Sequence, residues 1–208
     1  MKKLFLILIL LLPLTAQAAE PAPFKTTLSG QDKADLARIE DYLNQLKNLS
    51  ADFLQIDDAG GIMRGEIAIS RPGKMRVTYN PPNKDFIIAD GDFVHIWNDD
   101  LKTQTNVEQG SSLAEFILRD PVHLGGDVRV TRVAHFPAKI EVTLEQATDA
   151  SAGTLTLVFE DKPLKLRQWK VIDAQGHLTG VTLENMSEGM TFPASTFNFV
   201  PPNFGKNP

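Results

Sequence analysis

The sequence contains no cysteine, so no disulfide can form and no lipid can be attached to an N-terminal cysteine. The fold must therefore rest on its apolar core. Basic residues are also in the minority, 21 against 26 acidic ones. Phosphate binding needs a positive face, so we expect no nucleic-acid partner. After the first residues, no apolar run approaches the length that crosses a bilayer.

The first stretch, MKKLFLILILLLPLTAQAAE, has the order of a secretory signal peptide. Two lysines precede an apolar run at residues 4–12, which is too short to span a membrane, and a small-x-small pattern ends at Ala18. The alternative is a buried N-terminal helix. We predict that residues 1–18 are a signal peptide, cleaved near Ala18, and that residues 19–208 form a single domain exported to the periplasm. Cleavage removes both lysines and changes the formal net charge from −5 to −7.

Apolar spacing predicts one long helix early in the mature chain. Apolar residues recur every three or four positions at Leu36, Ile39, Leu43, Leu46 and Leu49. Ser29 is placed to cap this helix, with Asp32 in its first turn.

The rest of the chain alternates with period two, as strands do. The predicted strands are SADFLQI, IMRGEIAIS, MRVTY, DFIIAD, FVHIW, LKTQTNV, DVRVTRVAHF, KIEVTLEQA, GTLTLVFED, LKLRQWKVID, HLTGVTLEN and STFNFV. GSSLAEFILRDP interrupts them, and Ser112 with Glu115 forms a capping-box pattern that predicts a short helix there. This pattern is typical of an all-β sandwich or barrel, and closed sheets of this size can enclose a cavity.

No motif converges on a reaction. The four histidines lack metal-ligand spacing, and no Gly-x-Ser-x-Gly elbow occurs. The aspartate pairs Asp57–Asp58 and Asp99–Asp100 lie in predicted turns, where aspartate is favoured for its backbone hydrogen bonds. We therefore expect no catalytic residue, metal or cofactor, and a binding protein rather than an enzyme. Patterning alone leaves open whether the apolar interior holds a cavity or is fully packed.

The order of these segments resembles the periplasmic outer-membrane lipoprotein carrier proteins, the LolA family. The resemblance is carried by LSADFLQID, GGIMRGEIAISRPGKMRVTYNPP and IIADGDFVHIWNDDLKTQT, then a short helix and strands ending in FNFVPP. Its most specific elements are Arg71-Pro72, the Asp90-Gly91 turn and the terminal Phe-x-Phe-x-Pro-Pro. It implies a mainly β fold with two or more helices: an unclosed antiparallel β-barrel, or half-barrel, of eleven or twelve strands. This barrel would enclose an apolar cavity covered by a helical lid.

The resemblance also implies a function. Such a chain would be a periplasmic chaperone that binds the acyl chains of lipoproteins released from the inner membrane and transfers them to the outer membrane. The implied partners are outer-membrane-destined lipoproteins, an inner-membrane lipoprotein-releasing ABC transporter and an outer-membrane acceptor lipoprotein. We expect a monomer. The alternative function is a lipid- or lipoprotein-sensing regulatory module of the same fold.

Residue by residue, the resemblance assigns residues 111–119 to the lid. It assigns Arg71 the role of a latch, which bonds the lid backbone and holds the empty cavity shut. The candidate cavity residues are Phe53, Ile67, Ile69, Met75, Val77, Tyr79, Phe86 and Ile88 from the strands, and Leu113, Phe116 and Ile117 from the lid.

Overall fold

The computed structural model describes residues 27–110 and 113–202, which contain one α-helix, three short 3-10 helices and eleven strands. The predicted signal peptide and the predicted cap Ser112 lie outside these ranges. None of the helices in the described ranges is long and apolar enough to cross a membrane.

The α-helix and the strands follow one another as α1 (Gly30–Gln45), β1 (Asn48–Asp57), β2 (Ile62–Ser70), β3 (Lys74–Tyr79), β4 (Phe86–Asp90), β5 (Phe93–Asn98), β6 (Thr103–Glu108), β7 (Val128–Phe136), β8 (Lys139–Gln146), β9 (Thr154–Asp161), β10 (Leu164–Ile172) and β11 (Leu178–Glu188). The 3-10 helices are Leu113–Leu118, Ala150–Ala152 and Ala194–Phe197.

The predicted cap of α1 is present. The hydroxyl of Ser29 accepts from the main-chain N–H of Asp32 at 3.1 Å, and the Asp32 carboxylate accepts from the N–H of Ser29 at 2.8 Å. Ile39 and Leu43 are buried, as the apolar stripe predicts. The helix nevertheless ends at Gln45, so Leu49 lies in β1 and the predicted helix was too long at its C-terminus.

The eleven strands form one antiparallel sheet in the order β6-β5-β4-β3-β2-β1-β11-β10-β9-β8-β7. Every neighbouring pair is antiparallel, and β6 and β7 are the two unjoined edges. This confirms the predicted unclosed antiparallel sheet. The predicted strand STFNFV was wrong, because its residues form the 3-10 helix Ala194–Phe197 and the segment after it.

One face of the sheet, which we call the inner face, packs against α1 and the 3-10 helix Leu113–Leu118. Leu43 and Phe116, from these two helices, are buried in the same apolar cluster as Val142, Leu157 and Phe159 of the sheet. The ring of Tyr42 meets that of Phe159 edge-on at 6.2 Å. The helices therefore fill much of the space that the curved sheet surrounds.

The outer face of β3–β5 carries a second apolar layer. The ring of Phe199 lies 5.6 Å from Phe86 and 4.9 Å from His95, and Phe86 stacks on Trp97 at 6.3 Å. The C-terminal segment thus covers this face, and Arg76 fastens it by donating to the main-chain oxygen of Thr196 at 3.3 Å.

Candidate functional site

An apolar cavity of about 300 Å³ lies on the inner face of the sheet. It is lined by Phe53, Gln55, Ile67, Met75, Val77, Tyr79, Ile87, Ile117, Trp169, Val171, Asp173, His177, Thr179 and Val181. These residues come from β1 to β4, the 3-10 helix Leu113–Leu118, and the β10–β11 hairpin. A cavity of this size is at the lower end of the range for small-molecule sites.

The cavity includes six of the eleven candidate residues: Phe53, Ile67, Met75, Val77, Tyr79 and Ile117. Ile69, Leu113 and Phe116 are buried in the apolar cluster around the cavity but do not line it.

The remaining two candidates, Phe86 and Ile88, were wrongly placed. Ile87 of β4 pairs with Val77 of β3, whereas Ile88 pairs with Arg76. Because successive side chains of a strand point to opposite faces, Ile87 joins Val77 in the cavity wall, and Phe86 and Ile88 lie on the outer face.

A glycine shapes the wall around Phe53. A Cβ added at Gly65 would lie 2.1 Å from the main-chain oxygen of Thr78 and 2.7 Å from the Phe53 ring. Phe53 therefore uses the space that the missing side chain leaves. Its ring meets Tyr79 edge-on at 5.5 Å, and the Tyr79 hydroxyl donates to Oε1 of Gln55 at 2.9 Å. Burial raises the pKa of Tyr79, so this hydroxyl stays protonated.

Six of the fourteen lining residues come from β10, β11 and the turn between them, and none of these six was a candidate from the sequence. Trp169 pairs with Val181, and Val171 pairs with Thr179, so these four side chains share the inner face. Alternation in LKLRQWKVID indicates that Trp169 and Val171 share a face. It does not indicate that this face adjoins β1, since that depends on the pairing of β1 with β11.

The exposed part of the lining is the β10–β11 turn. Asp173 accepts from the main-chain N–H groups of Gln175 and His177, both at 2.9 Å. These bonds, first that from His177, lower the pKa of Asp173. The side chains of Asp173 and His177 remain 44% and 67% exposed, so this turn forms the mouth of the cavity.

Arg71 lies at the opposite end of the strands, in the β2–β3 turn. Its side chain is buried, and Nη1 donates to the main-chain oxygen of Leu43 in α1 at 2.6 Å. Its Nε has no hydrogen-bond partner among the described residues. Burial lowers the pKa of Arg71, and the negative charge of Asp120 opposes this shift. The contact expected from the resemblance was to the lid backbone, whereas the one observed is to the last turn of α1.

The backbone of the same turn reaches the 3-10 helix instead. The main-chain N–H of Gly73 donates to the oxygen of Leu118 at 2.8 Å, and Gln109 donates to the oxygen of Gly73 at 2.9 Å. The β2–β3 turn thus touches both elements that fill the inner face: α1 through the Arg71 side chain and the 3-10 helix through Gly73.

Side chains of α1 also hold the loop after the 3-10 helix. Asn44 donates to the oxygen of Val122 at 2.9 Å and accepts from its N–H at 2.8 Å, and Glu40 accepts from the N–H of Leu124 at 2.7 Å. α1 and the 3-10 helix Leu113–Leu118 are therefore linked to each other through this loop, as well as to the sheet.

The other end of α1 is fixed by a polar cluster that the sequence analysis missed. Asp35 is 2% exposed and binds Gln31, Arg38 and His135. Burial alone would raise the pKa of Asp35, but these hydrogen bonds outweigh it and lower the pKa. Arg38 also binds Asp161 at the end of β9.

The site as a whole can accommodate an apolar group, and the carboxylate and imidazole side chains of its described lining, Asp173 and His177, lie at its mouth. Within residues 27–110 and 113–202, no cluster of three or more histidine and acidic side chains is placed to hold a metal ion.

Comparison with known proteins gives a consistent family. The family model described as outer membrane lipoprotein carrier protein LolA matches residues 44–200. An outer-membrane lipoprotein carrier protein from Xanthomonas campestris pv. campestris (strain B100) is 29% identical over 176 residues, covering 78% of this chain and 82% of that protein. One from Pseudomonas fluorescens (strain Pf0-1) is 29% identical over 188 residues, covering 84% and 88%. The crystal structure of a LolA superfamily protein from Nitrosomonas europaea aligns with a TM-score of 0.42 at 8% identity, covering 79% and 97%.

Proposed function

The chain belongs to the LolA family of outer membrane lipoprotein carrier proteins, and from this premise we propose that it is a non-enzymatic, monomeric lipoprotein carrier of the periplasm. It would bind the acyl chains of lipoproteins released from the inner membrane by an ABC transporter. It would then deliver them to the outer membrane, directly or through an acceptor lipoprotein.

The observation that carries this proposal is the apolar cavity between the sheet and the 3-10 helix Leu113–Leu118. Transfer of one CH₂ group from water to an apolar site is favourable by about 0.8 kcal/mol, so the binding of an acyl chain in such a cavity is favourable. A carrier must also release its cargo, which requires a cover that yields.

We propose the 3-10 helix Leu113–Leu118 and α1 as that cover, and Arg71 as its latch. A single charge-assisted hydrogen bond is worth about 1.5–3 kcal/mol, which is small enough for a ligand or partner to overcome. The bond to Leu43 supports this role, because it joins the β2–β3 turn to the last turn of α1. Arg71→Leu is expected to keep the far-ultraviolet circular dichroism spectrum and change the rate of lipoprotein transfer. An unchanged transfer rate would remove Arg71 from the mechanism.

The carrier function is tested by adding the mature chain to inner-membrane vesicles that contain labelled lipoproteins and the transporter. We expect a soluble complex of chain and lipoprotein. Two adjacent residues of β10 supply a matched pair of variants: Val171 lines the cavity, whereas Ile172 is exposed on the outer face. Val171→Trp should suppress release, and Ile172→Trp should not. Absence of any soluble complex, or equal release by both variants, would refute the proposal.

A further inference from the structure

The charge at the mouth of the cavity has one sign. Among the described residues that line the cavity, none is lysine or arginine, and Asp173 is the one carboxylate. The side chain of His177 lies beside it, with Nδ1 3.4 Å from Oδ2 of Asp173.

The Asp173 carboxylate is fixed in place by the turn that it organises. Oδ1 accepts from two main-chain N–H groups, those of Gln175 and His177, so its position follows the backbone of the β10–β11 hairpin. The same bonds lower the pKa of Asp173, and the group is ionised at neutral pH. A charge held in this way stays at the mouth rather than turning away into solvent.

The other polar groups beside Asp173 are neutral or acidic. Gln55 and Thr179 line the mouth and offer an amide and a hydroxyl. Thr179 pairs with Asp57 in the neighbouring strand, which adds a second carboxylate near this end of the sheet. Among the described lining residues, an anionic head placed here would meet like charge and no lysine or arginine, whereas esters, amides and hydroxyls would find hydrogen-bond partners.

We propose that the cavity mouth selects amphiphiles with an uncharged or cationic head and rejects those with an anionic head, and that Asp173 determines this specificity. This proposal rests on the proposed function, because it concerns the head of the ligand whose acyl chain fills the same cavity. It predicts that free fatty acids and anionic phospholipids compete poorly with the uncharged glyceryl ester and amide groups of an acylated protein.

The test compares three ligands that share one chain length and differ in their heads: laurate, its monoglyceride and dodecyltrimethylammonium. Trp169 lines the cavity and reports binding by fluorescence, and Trp97→Phe removes the second tryptophan. Titrations are made below the critical micelle concentration, at mildly alkaline pH and at two salt concentrations. We expect the anion to bind about three- to tenfold more weakly than the neutral ligand, with a smaller difference in high salt.

Two aspartate variants separate the local charge from the net charge. Asp173→Asn keeps an oxygen for the turn and should tighten laurate binding about threefold, with monoglyceride binding unchanged. Asp41→Asn removes the same charge from an exposed residue of α1 that does not line the cavity, and should change neither affinity. Thr179→Lys tests the proposal without touching the turn, since a cation at the mouth should reverse the preference.

The outcomes distinguish the two proposals. If no ligand changes Trp169 fluorescence, the carrier function itself fails. If all three ligands bind equally, or if Asp173→Asn and Asp41→Asn act alike, the cavity binds acyl chains without selecting the head, and the specificity proposal is overturned.

Discussion

Truncating Ile117 should make the protein less stable but a better ligand binder. Ile117 is 4% exposed and forms the part of the cavity wall that comes from the 3-10 helix. Ile→Ala at a buried site costs about 2–5 kcal/mol, because three carbons leave a space that the surroundings fill only in part. The free energy of unfolding of Ile117→Ala, measured by urea titration, should fall by that amount.

An acyl chain can occupy the space that Ile117→Ala opens. Three carbons at about 0.8 kcal/mol each give up to about 2 kcal/mol of additional binding free energy. That corresponds to roughly 30-fold tighter binding than in the unaltered protein. Isothermal titration calorimetry with a monoglyceride measures this gain directly.

Ile140→Ala is the matched control. Ile140 is 3% exposed in β8 and belongs to the core, but it does not line the cavity. Its truncation should cost similar stability and leave ligand affinity within about twofold. Equal changes in ligand affinity in the two variants would refute the assignment of Ile117 to the ligand cavity. So would a decrease in the free energy of unfolding of Ile117→Ala of less than about 1 kcal/mol.

Three further changes test other parts of the structure. Gly65→Ala should displace the Phe53 ring, costing about 1–3 kcal/mol in urea unfolding and weakening ligand binding; unchanged affinity would contradict the tight approach at this glycine. Phe197→Ala should cost about 3–5 kcal/mol with ligand affinity unchanged, because Phe197 is buried in the segment that covers the outer face; a parallel loss of affinity would count against that placement. Burial would raise the pKa of Asp90, but hydrogen bonds from Phe93, His95 and Asp92 lower it from 3.8 to about 2. The ionised carboxylate therefore stabilises the folded state at neutral pH, and this stabilisation is lost as the pH falls from about 4 towards 2. Asp90→Asn should flatten that part of the pH dependence of the urea midpoint, and an unaltered slope would exclude this contribution.

The sequence was most informative where one face of an element is buried and the other is wet. Alternation in β2 and β3 placed Ile67 and Val77 on the same face, and both line the cavity. The stripe of α1 placed Ile39 and Leu43 in the core. In each case polar residues on the opposite face define the period.

Periodicity failed where both faces of a strand are covered. Phe86 to Ile88 form an unbroken apolar run, so nothing local tells which residues face the cavity. The answer depends on the register with β3 and on Phe199, which arrives from far along the chain to cover the outer face. STFNFV alternates like a strand for the same reason, since its aromatic residues pack on a sheet without joining it.

The polar features could not be predicted because they depend on long-range pairings. Asp35 is not part of the apolar stripe of α1, yet it is buried against His135, one hundred residues away. Asp173 is the last residue of the predicted strand LKLRQWKVID, but its place at the cavity mouth requires the pairing of β11 with β1.

The free edges of the sheet bear on how large a ligand can be. A closed barrel has a fixed diameter, because the number of strands and the continuous hydrogen bonding around the barrel determine it. Here the edge strands β6 and β7 do not pair with each other, so the sheet stays open. The distance between the two edge strands can change without breaking any hydrogen bonds between paired strands. The volume of the interior can then vary. It is limited by the contacts of α1 and the 3-10 helix with the sheet, and not by the hydrogen bonds between strands.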